Sequence, residues 1–313
     1  MKYLFGPVNS RRLGVSLGVD LVPYKTCSLN CVYCECGATE SLTSEIKEYV
    51  PTSAVIAELE AFLKDAPRLD AVTFSGSGEP TLHEGIGVVI DYLKKNHPYK
   101  VAVLTNGTLL NRPEVRQRLL QADTVIPTLN AVTPEIFNKI VRPAEGITPA
   151  TLIDGILSFR KEFKGRLIIE LFIIPGVNDS EGELALLKDV LTEISPDLIQ
   201  INTLDRPGTE DWISVPGTED LVKILDQLRP LNVEAVGRAG AEIAANAAAP
   251  EPDLQAAIME LVIRRPSTVE DILAGVDSDR VKVAAAVERL LRGGKLIKTP
   301  GPRGDFYSPR DRD

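Results

Sequence analysis

No run of about 18 apolar residues occurs anywhere in the 313-residue chain, so no segment reads as a membrane-spanning helix. The opening Met1-Lys2-Tyr3-Leu4-Phe5-Gly6-Pro7 lacks an apolar stretch long enough for a signal peptide, and a soluble, cytoplasmic protein with no membrane partner is expected. Cysteine is missing except between Cys27 and Cys36, where all four lie within ten residues. That clustering excludes a disulfide framework spread across a domain and suits metal binding in a reducing compartment. Positive charge is in deficit, with 35 Lys and Arg against 44 Asp and Glu and a formal net charge of −9. Such a balance argues against a protein that coats nucleic acid non-specifically and leaves room only for a local basic patch. What is present, 44% hydrophobic and 25% charged residues, is enough for one large globular domain and a small one.

Up to about residue 237, short β-branched runs alternate with amphipathic stretches, the pattern of repeated βα units around a parallel sheet. The expected strands are Leu13 to Val22, Leu69 to Ser75, Lys100 to Thr105, Thr124 to Leu129, Leu167 to Ile174 and Leu198 to Leu204, with Val233 to Val236 as a seventh. The expected helices are Thr52 to Lys64, Gly85 to Asn96, Pro113 to Gln121, Thr148 to Phe163, Ser180 to Ile194 and Thr218 to Leu228. Residues 239–252, rich in Ala with Gly, Asn and two prolines, read as a linker between a first domain, 1–238, and a second, 253–313. In the second, helices over Asp253 to Arg264, Thr268 to Gly275 and Ser278 to Arg292 precede a hairpin around Pro-Gly-Pro-Arg-Gly, which predicts a winged helix-turn-helix.

Cys27-Ser28-Leu29-Asn30-Cys31-Val32-Tyr33-Cys34 sets three thiolates on one tight loop after the first expected strand. Three cysteines on a [4Fe-4S] cube leave one iron open to an exogenous ligand, unlike the four-thiolate clusters of electron carriers. The other reading of the same loop is a tetrahedral zinc site completed by Cys36, although Cys34 and Cys36 stand only two residues apart. At the Cys-x3-Cys-x2-Cys spacing, with an aromatic before the last cysteine, the sequence resembles the radical S-adenosylmethionine (SAM) superfamily. The resemblance implies an α/β fold of the partial (β/α)6 TIM-type barrel kind, a [4Fe-4S] cluster on Cys27, Cys31 and Cys34, and Tyr33 near the adenine of SAM. It also implies reductive cleavage of SAM to a 5′-deoxyadenosyl radical, with a flavodoxin or ferredoxin as electron donor.

Ligand-binding groups of a parallel βα fold gather at the strands' C-terminal ends. Gly76-Ser77-Gly78-Glu79-Pro80 follows the second strand and resembles the family's Gly-Gly-Glu motif for the SAM amino group, Ser77 standing where a glycine is usual. Asn106 after the third strand and Thr128 and Asn130 after the fourth match positions that in the family bind the ribose and methionine moieties. Arg142 resembles the family arginine that pairs with the SAM carboxylate, a role its planar fork suits; its other reading is a solvated surface arginine. Gly176 and Asn178 lie in a turn of the type that meets adenine in relatives. Arg11, Arg12, His83, Asp205 and Arg206, polar groups near expected strand ends, are candidate substrate contacts, with Arg11 and Arg12 equally readable as a structural ion-pair set.

Pro7 to Gly14, Ser16 to Asp20 and Gly78 to His83 resemble a subgroup related to the tRNA wyosine-base synthase. The archaeal synthases carry a further cysteine set that this chain lacks, which counts against the tRNA reaction. Over Asp253 to Asp313 eleven Lys and Arg face ten Asp and Glu, and Arg280, Lys282, Arg289, Arg292, Lys295 and Lys298 cluster on the third helix and wing. A nucleic acid and a peptide or protein are both open as partners there. The alternative to an enzyme is an iron–sulfur redox-sensing regulator that reads DNA through the winged helix.

Overall fold

The computed structural model describes residues 1–10, 12–65, 68–204, 206, 208–236, 252–276, 278, 280–301 and 304–310. Arg11 and Asp205, and all of the expected linker except Pro252, lie outside the described residues. The chain divides into two compact units, Met1–Ala239 and Gly240–Asp313.

The first unit is built on one sheet of eight strands: β1 (Leu4–Ser10), β2 (Gly14–Val19), β5 (Ala71–Phe74), β6 (Lys100–Thr105), β7 (Thr124–Pro127), β8 (Arg166–Phe172), β9 (Leu198–Asn202) and β10 (Val233–Ala235), adjacent in that order. Every pairing is parallel except β1 with β2. A two-residue ribbon, β3 (Thr26–Cys27) with β4 (Ser41–Leu42), stands apart from it. Parallel strands are covered on both faces, so they read as continuous apolar runs, and all four residues of β5 are buried.

The covering helices are α1 (Thr52–Leu63), α2 (Ile86–Asn96), α3 (Pro113–Leu119), α4 (Pro134–Val141), α5 (Pro149–Glu162), α6 (Glu181–Ile194) and α7 (Thr218–Leu228). In α2 the buried Ile86, Val89, Ile90 and Leu93 repeat at helical spacing, and Lys94 and Lys95 complement the dipole of the last turn. α5 starts at a capping box in which Thr148 and Thr151 satisfy each other's backbone donors, with proline at the first turn. Each fully buried Leu, Ile or Phe of this layer contributes about 1.5–3 kcal/mol.

Besides the β3–β4 ribbon, two longer elements were not expected from the sequence. β1 is an added antiparallel edge strand whose Gly6-Pro7 reads as a breaker; a register shift between Phe5 and Val8 accommodates it at the sheet edge, where proline costs no ladder bond. α4 fills what was read as loop after β7. The first expected strand is also shorter, beginning at Gly14, whose φ of 71° turns the chain out of β1. A Cβ there would meet the Asp70 carboxylate at 2.2 Å, the group that accepts the Val15 N–H at 2.8 Å.

The second unit has α8 (Pro252–Arg264), α9 (Val269–Leu273), α10 (Arg280–Arg292) and a hairpin of β11 (Leu296–Gly301) and β12 (Gly304–Pro309). Ile258, Val262, Ile272, Val283, Val287, Leu290 and Leu296 form its core. Of the cations expected to meet phosphate, Arg280 pairs with Glu270, Arg292 lies 4.0 Å from Glu288, and Lys298 pairs with Asp305 at 2.7 Å. No helix among the described residues is long and apolar enough to cross a membrane.

Candidate functional site

The loops leaving β2, β5, β6, β7, β8 and β9 emerge on one side of the sheet, and the cysteine loop lies among them. Its apolar residues Leu29 and Val32 are buried, while Cys27, Cys31 and Cys34 remain partly exposed. Two neighbours hold its backbone. Asn30 N–H donates to Val141 O and Val32 N–H to Ile140 O, each at 2.9 Å, so the unexpected α4 anchors one side. From the loop after β9, the Thr209 hydroxyl donates to Val32 O at 2.8 Å and its N–H to the same oxygen at 3.1 Å.

The Cys31 thiol feels the charge of both Cys27 and Cys34. Burial, aided by Glu79, pushes the Cys27 thiol up to about 11, and burial together with Cys27 pushes Cys31 up as well. Cys34 moves the other way, because the Cys36 thiol donates to it and the buried Lys25 ammonium lies 3.1 Å from its sulfur. Thiolates crowded into a buried site with a single ammonium beside them are costly until iron neutralises them, and the donor set fits a cluster. Among the described residues no group of three His, Cys, Asp or Glu side chains converges as around one metal ion.

Beside the thiols is a cavity of about 230 Å³ bounded by Cys27, Tyr33, Gly76, Gly78, Asn106 and Thr128. Its walls are locked by hydrogen bonds. Glu79, only 2% exposed, also lines it, and its carboxylate accepts from Thr81 N (3.0 Å), Thr81 Oγ1 (2.6 Å), Thr105 Oγ1 (2.6 Å) and Asn106 N (2.7 Å). Burial raises its pKa against the pull of those donors. Asn106 Nδ2 donates to Ser28 Oγ at 2.8 Å and approaches Cys27 Sγ at 3.5 Å, joining the β6 loop to the cysteine loop. A Cβ on Gly78 would lie 2.1 Å from Thr26 O, so only glycine lets the backbones come this close. Ser77 turns away from the cavity: its N–H and hydroxyl both donate to Asp20 Oδ2 at 2.9 Å. Asp20 occupies the space a side chain at Gly76 would fill.

Not every expected contact faces this cavity. Asn130 donates to Tyr33 Oη at 2.7 Å and accepts from Phe172 N at 2.8 Å, while the fully buried Asn178 donates to Asn130 O and Phe172 O. Together they set Tyr33 in a stack on Phe172, ring centroids 4.1 Å apart, and their amides are consumed in doing so. Gly176, with a φ of 72°, sits in an open turn. Arg142 caps α4 in a left-handed conformation and pairs with Glu210 at 2.5 Å, an arrangement for which its resemblance to a carboxylate-binding arginine gave no hint. His83 is corrected from a substrate candidate to a structural group: it is fully buried, Nε2 lies 2.7 Å from Val50 O, and Nδ1 accepts from Gly85 N at 3.0 Å.

Arg12 and Arg206 border a second cavity of about 610 Å³, where Arg12 is paired with Glu170 and Arg206 stands 3.8 Å from Glu35. Asp20, Lys25, Glu170 and Thr209 were missed from the sequence. For Asp20 the signal was available, because a carboxylate at the end of a strand facing a glycine-rich turn is a natural acceptor for its N–H groups.

Fold and site define a class: an α/β protein with a mostly parallel sheet and a three-thiol loop at the strands' C-terminal ends. The model of the radical SAM superfamily matches residues 21–187, and the chain belongs to that superfamily, whose enzymes use a [4Fe-4S] cluster and SAM. More narrowly it is one of the UPF0026 proteins. It is 33% identical to the UPF0026 protein of Methanocaldococcus jannaschii over 72% of this chain and 70% of that one, and 37% identical to that of Synechocystis over 65% and 76%. A protein of Brachyspira hyodysenteriae named GTPase Obg is 33% identical over 94% of this chain, which spans only 43% of that protein's length. Among solved structures, Streptococcus suis SuiB bound to SAM aligns with a TM-score of 0.54 at 17% identity, over 70% of this chain and 50% of that one. TYW1 with a lysine-pyruvate adduct aligns at 0.51 and 17% identity, over 69% and 74%. These two likenesses concern the fold alone.

Proposed function

We propose that this protein is a radical SAM enzyme that holds a [4Fe-4S] cluster on Cys27, Cys31 and Cys34 and SAM in the adjoining 230 Å³ cavity. The observation that carries the reading is the meeting of the cysteine loop with Gly76, Gly78, Asn106 and Thr128 around that one cavity, at the end of the sheet where ligands of such folds bind. Cluster and SAM would supply one-electron chemistry, and the protein supplies position and exclusion of water. The three thiolates hold the iron. Asn106 Nδ2 stands near Cys27 Sγ and Lys25 Nζ near Cys34 Sγ, where a donor and a positive charge stabilise electron-rich sulfur. Tyr33, fixed by Asn130 and Phe172, gives a flat surface for the adenine. Glu79 fixes the Thr81 and Asn106 backbone beside the cavity, and Asp20 fixes the backbone of Ser77. A flavodoxin or ferredoxin would deliver the electron.

The second unit we read as a winged helix. The ion pairs of Arg280, Arg292 and Lys298 reduce its free positive charge, which favours a peptide or protein partner over nucleic acid. The regulator alternative gains no support from the relatives. Subgroup kinship to the wyosine-base synthase rests on the motifs alone.

Anaerobically reconstituted protein given dithionite and SAM is expected to release 5′-deoxyadenosine and methionine. Specific promoter binding with no SAM turnover would refute the enzyme reading.

A further inference from the structure

The 610 Å³ cavity falls within the range of roughly 300–1,000 Å³ typical of small-molecule sites. It adjoins the 230 Å³ cavity through three shared residues, Ser75, Leu104 and Glu170. Among the described residues its charges match one to one: Arg12 with Glu170, and Arg206 with Glu35. The first pair is the inner one, its side chains 15% and 16% exposed, whereas Arg206 is 76% exposed. In such a shielded place charge matching dominates selection. A phosphate would bring no cation to meet Glu170 and would face its like charge. A purely apolar ligand would leave the pair with nothing to recognise.

We propose that this cavity binds a small zwitterion of the α-amino acid class, its carboxylate on Arg12 and its ammonium group on Glu170. The proposal rests on the radical SAM reading and names the substrate class of that site. A guanidinium has five donors and a carboxylate about four acceptor positions, so both groups can keep each other while each takes a ligand charge. One ion pair then becomes a ring of alternating charges. Asn202 Nδ2, 3.4 Å from Glu170, steadies the carboxylate. The apolar wall of Phe5, Leu13 and Leu104 offers a surface for the ligand side chain. Phe5 lies flat on the backbone of β2, where a Cβ on Gly18 would be 2.0 Å from its ring.

The test uses reconstituted protein with SAM and compares a mixture of proteinogenic L-amino acids with a mixture of ribonucleoside monophosphates, reading the melting temperature and then titrating the active component. The amino acids are expected to raise the melting temperature and the nucleotides to leave it unchanged. A rise with nucleotides instead, or with neither mixture, overturns the proposal. Arg12→Gln should raise the half-saturating concentration of the active amino acid about tenfold or more, the loss of a charge-assisted contact. Because that change strands Glu170 without its partner, Arg12→Gln/Glu170→Gln, which removes both charges, serves as the folded control. It is expected to ignore the amino acids, and a response of normal strength overturns the assignment. Release of 5′-deoxyadenosine with no addition tests the radical SAM reading separately, so the two failures are distinguishable.

Discussion

Replacing Glu79 probes the scaffold of the cavity proposed for SAM. Its carboxylate takes four hydrogen bonds, two from hydroxyls that can rotate toward other acceptors and two from the N–H groups of Thr81 and Asn106, which cannot. Glu79→Ala strands those two buried donors at about 1–3 kcal/mol each, or about 2–6 kcal/mol in all. Glu79→Gln keeps an oxygen for Thr81 and Thr105 but turns an amide N–H toward Asn106 N–H, so it costs about 1–3 kcal/mol. For a unit of this size each kcal/mol lowers the melting temperature by roughly 2–4 °C. Scanning calorimetry of the cluster-free protein should therefore rank the parent above Glu79→Gln and Glu79→Gln above Glu79→Ala. SAM affinity of the reconstituted protein should fall with Gln, because Asn106 also fixes Ser28 beside the cysteine loop. A Gln variant as stable as the parent with unchanged SAM affinity would refute the view that this carboxylate organises the cavity.

Further outcomes concern neighbouring groups. Asp20→Ala removes the acceptor of two Ser77 donors and should weaken SAM binding more than Ser77→Ala, which removes one; equal losses in equilibrium dialysis would contradict the ordering. Burial holds the His83 imidazole below its ordinary value, so its folded pKa lies under the unfolded one of about 6.5. The stability this neutral ring contributes is complete above that value and is lost as pH falls below it, so urea midpoints should drop from pH about 7.5 to about 5 less steeply in His83→Asn than in the parent. Cys31→Ala should abolish the iron–sulfur absorbance after reconstitution while Cys36→Ala retains it; the reverse pattern would overturn the ligand set.

The parallel strands were legible because they announce themselves locally. Lys100–Thr105 is the expected strand residue for residue, and α7 matches its expected bounds, since an apolar period needs only a short window of sequence. α4 was equally announced by Thr133-Pro134-Glu135 and by Phe137, Ile140 and Val141 on one face, a start signal followed by helical spacing. β1 was hidden by Gly6-Pro7, tolerated only because the strand is an edge.

In the site, cysteines at fixed spacing and glycines in tight turns could be read from the chain, because their geometry is made within a few residues. Glu170 could not, since its importance comes from a partner 158 residues away, Arg12. Thr209 reaches Val32 across 177 residues for the same reason. His83 misled because the nearby Glu79 lines the 230 Å³ cavity while its own ring is committed to the Val50 backbone. A polar side chain beside a motif says nothing about which way it points.

The central claim is that three cysteines hold the cluster and leave one iron for SAM. The direct measurement is the electron paramagnetic resonance spectrum of the dithionite-reduced, reconstituted protein before and after SAM is added. A spectrum that changes on SAM addition is predicted; one that stays identical while dialysis shows SAM bound would mean that a fourth protein ligand closes the cluster.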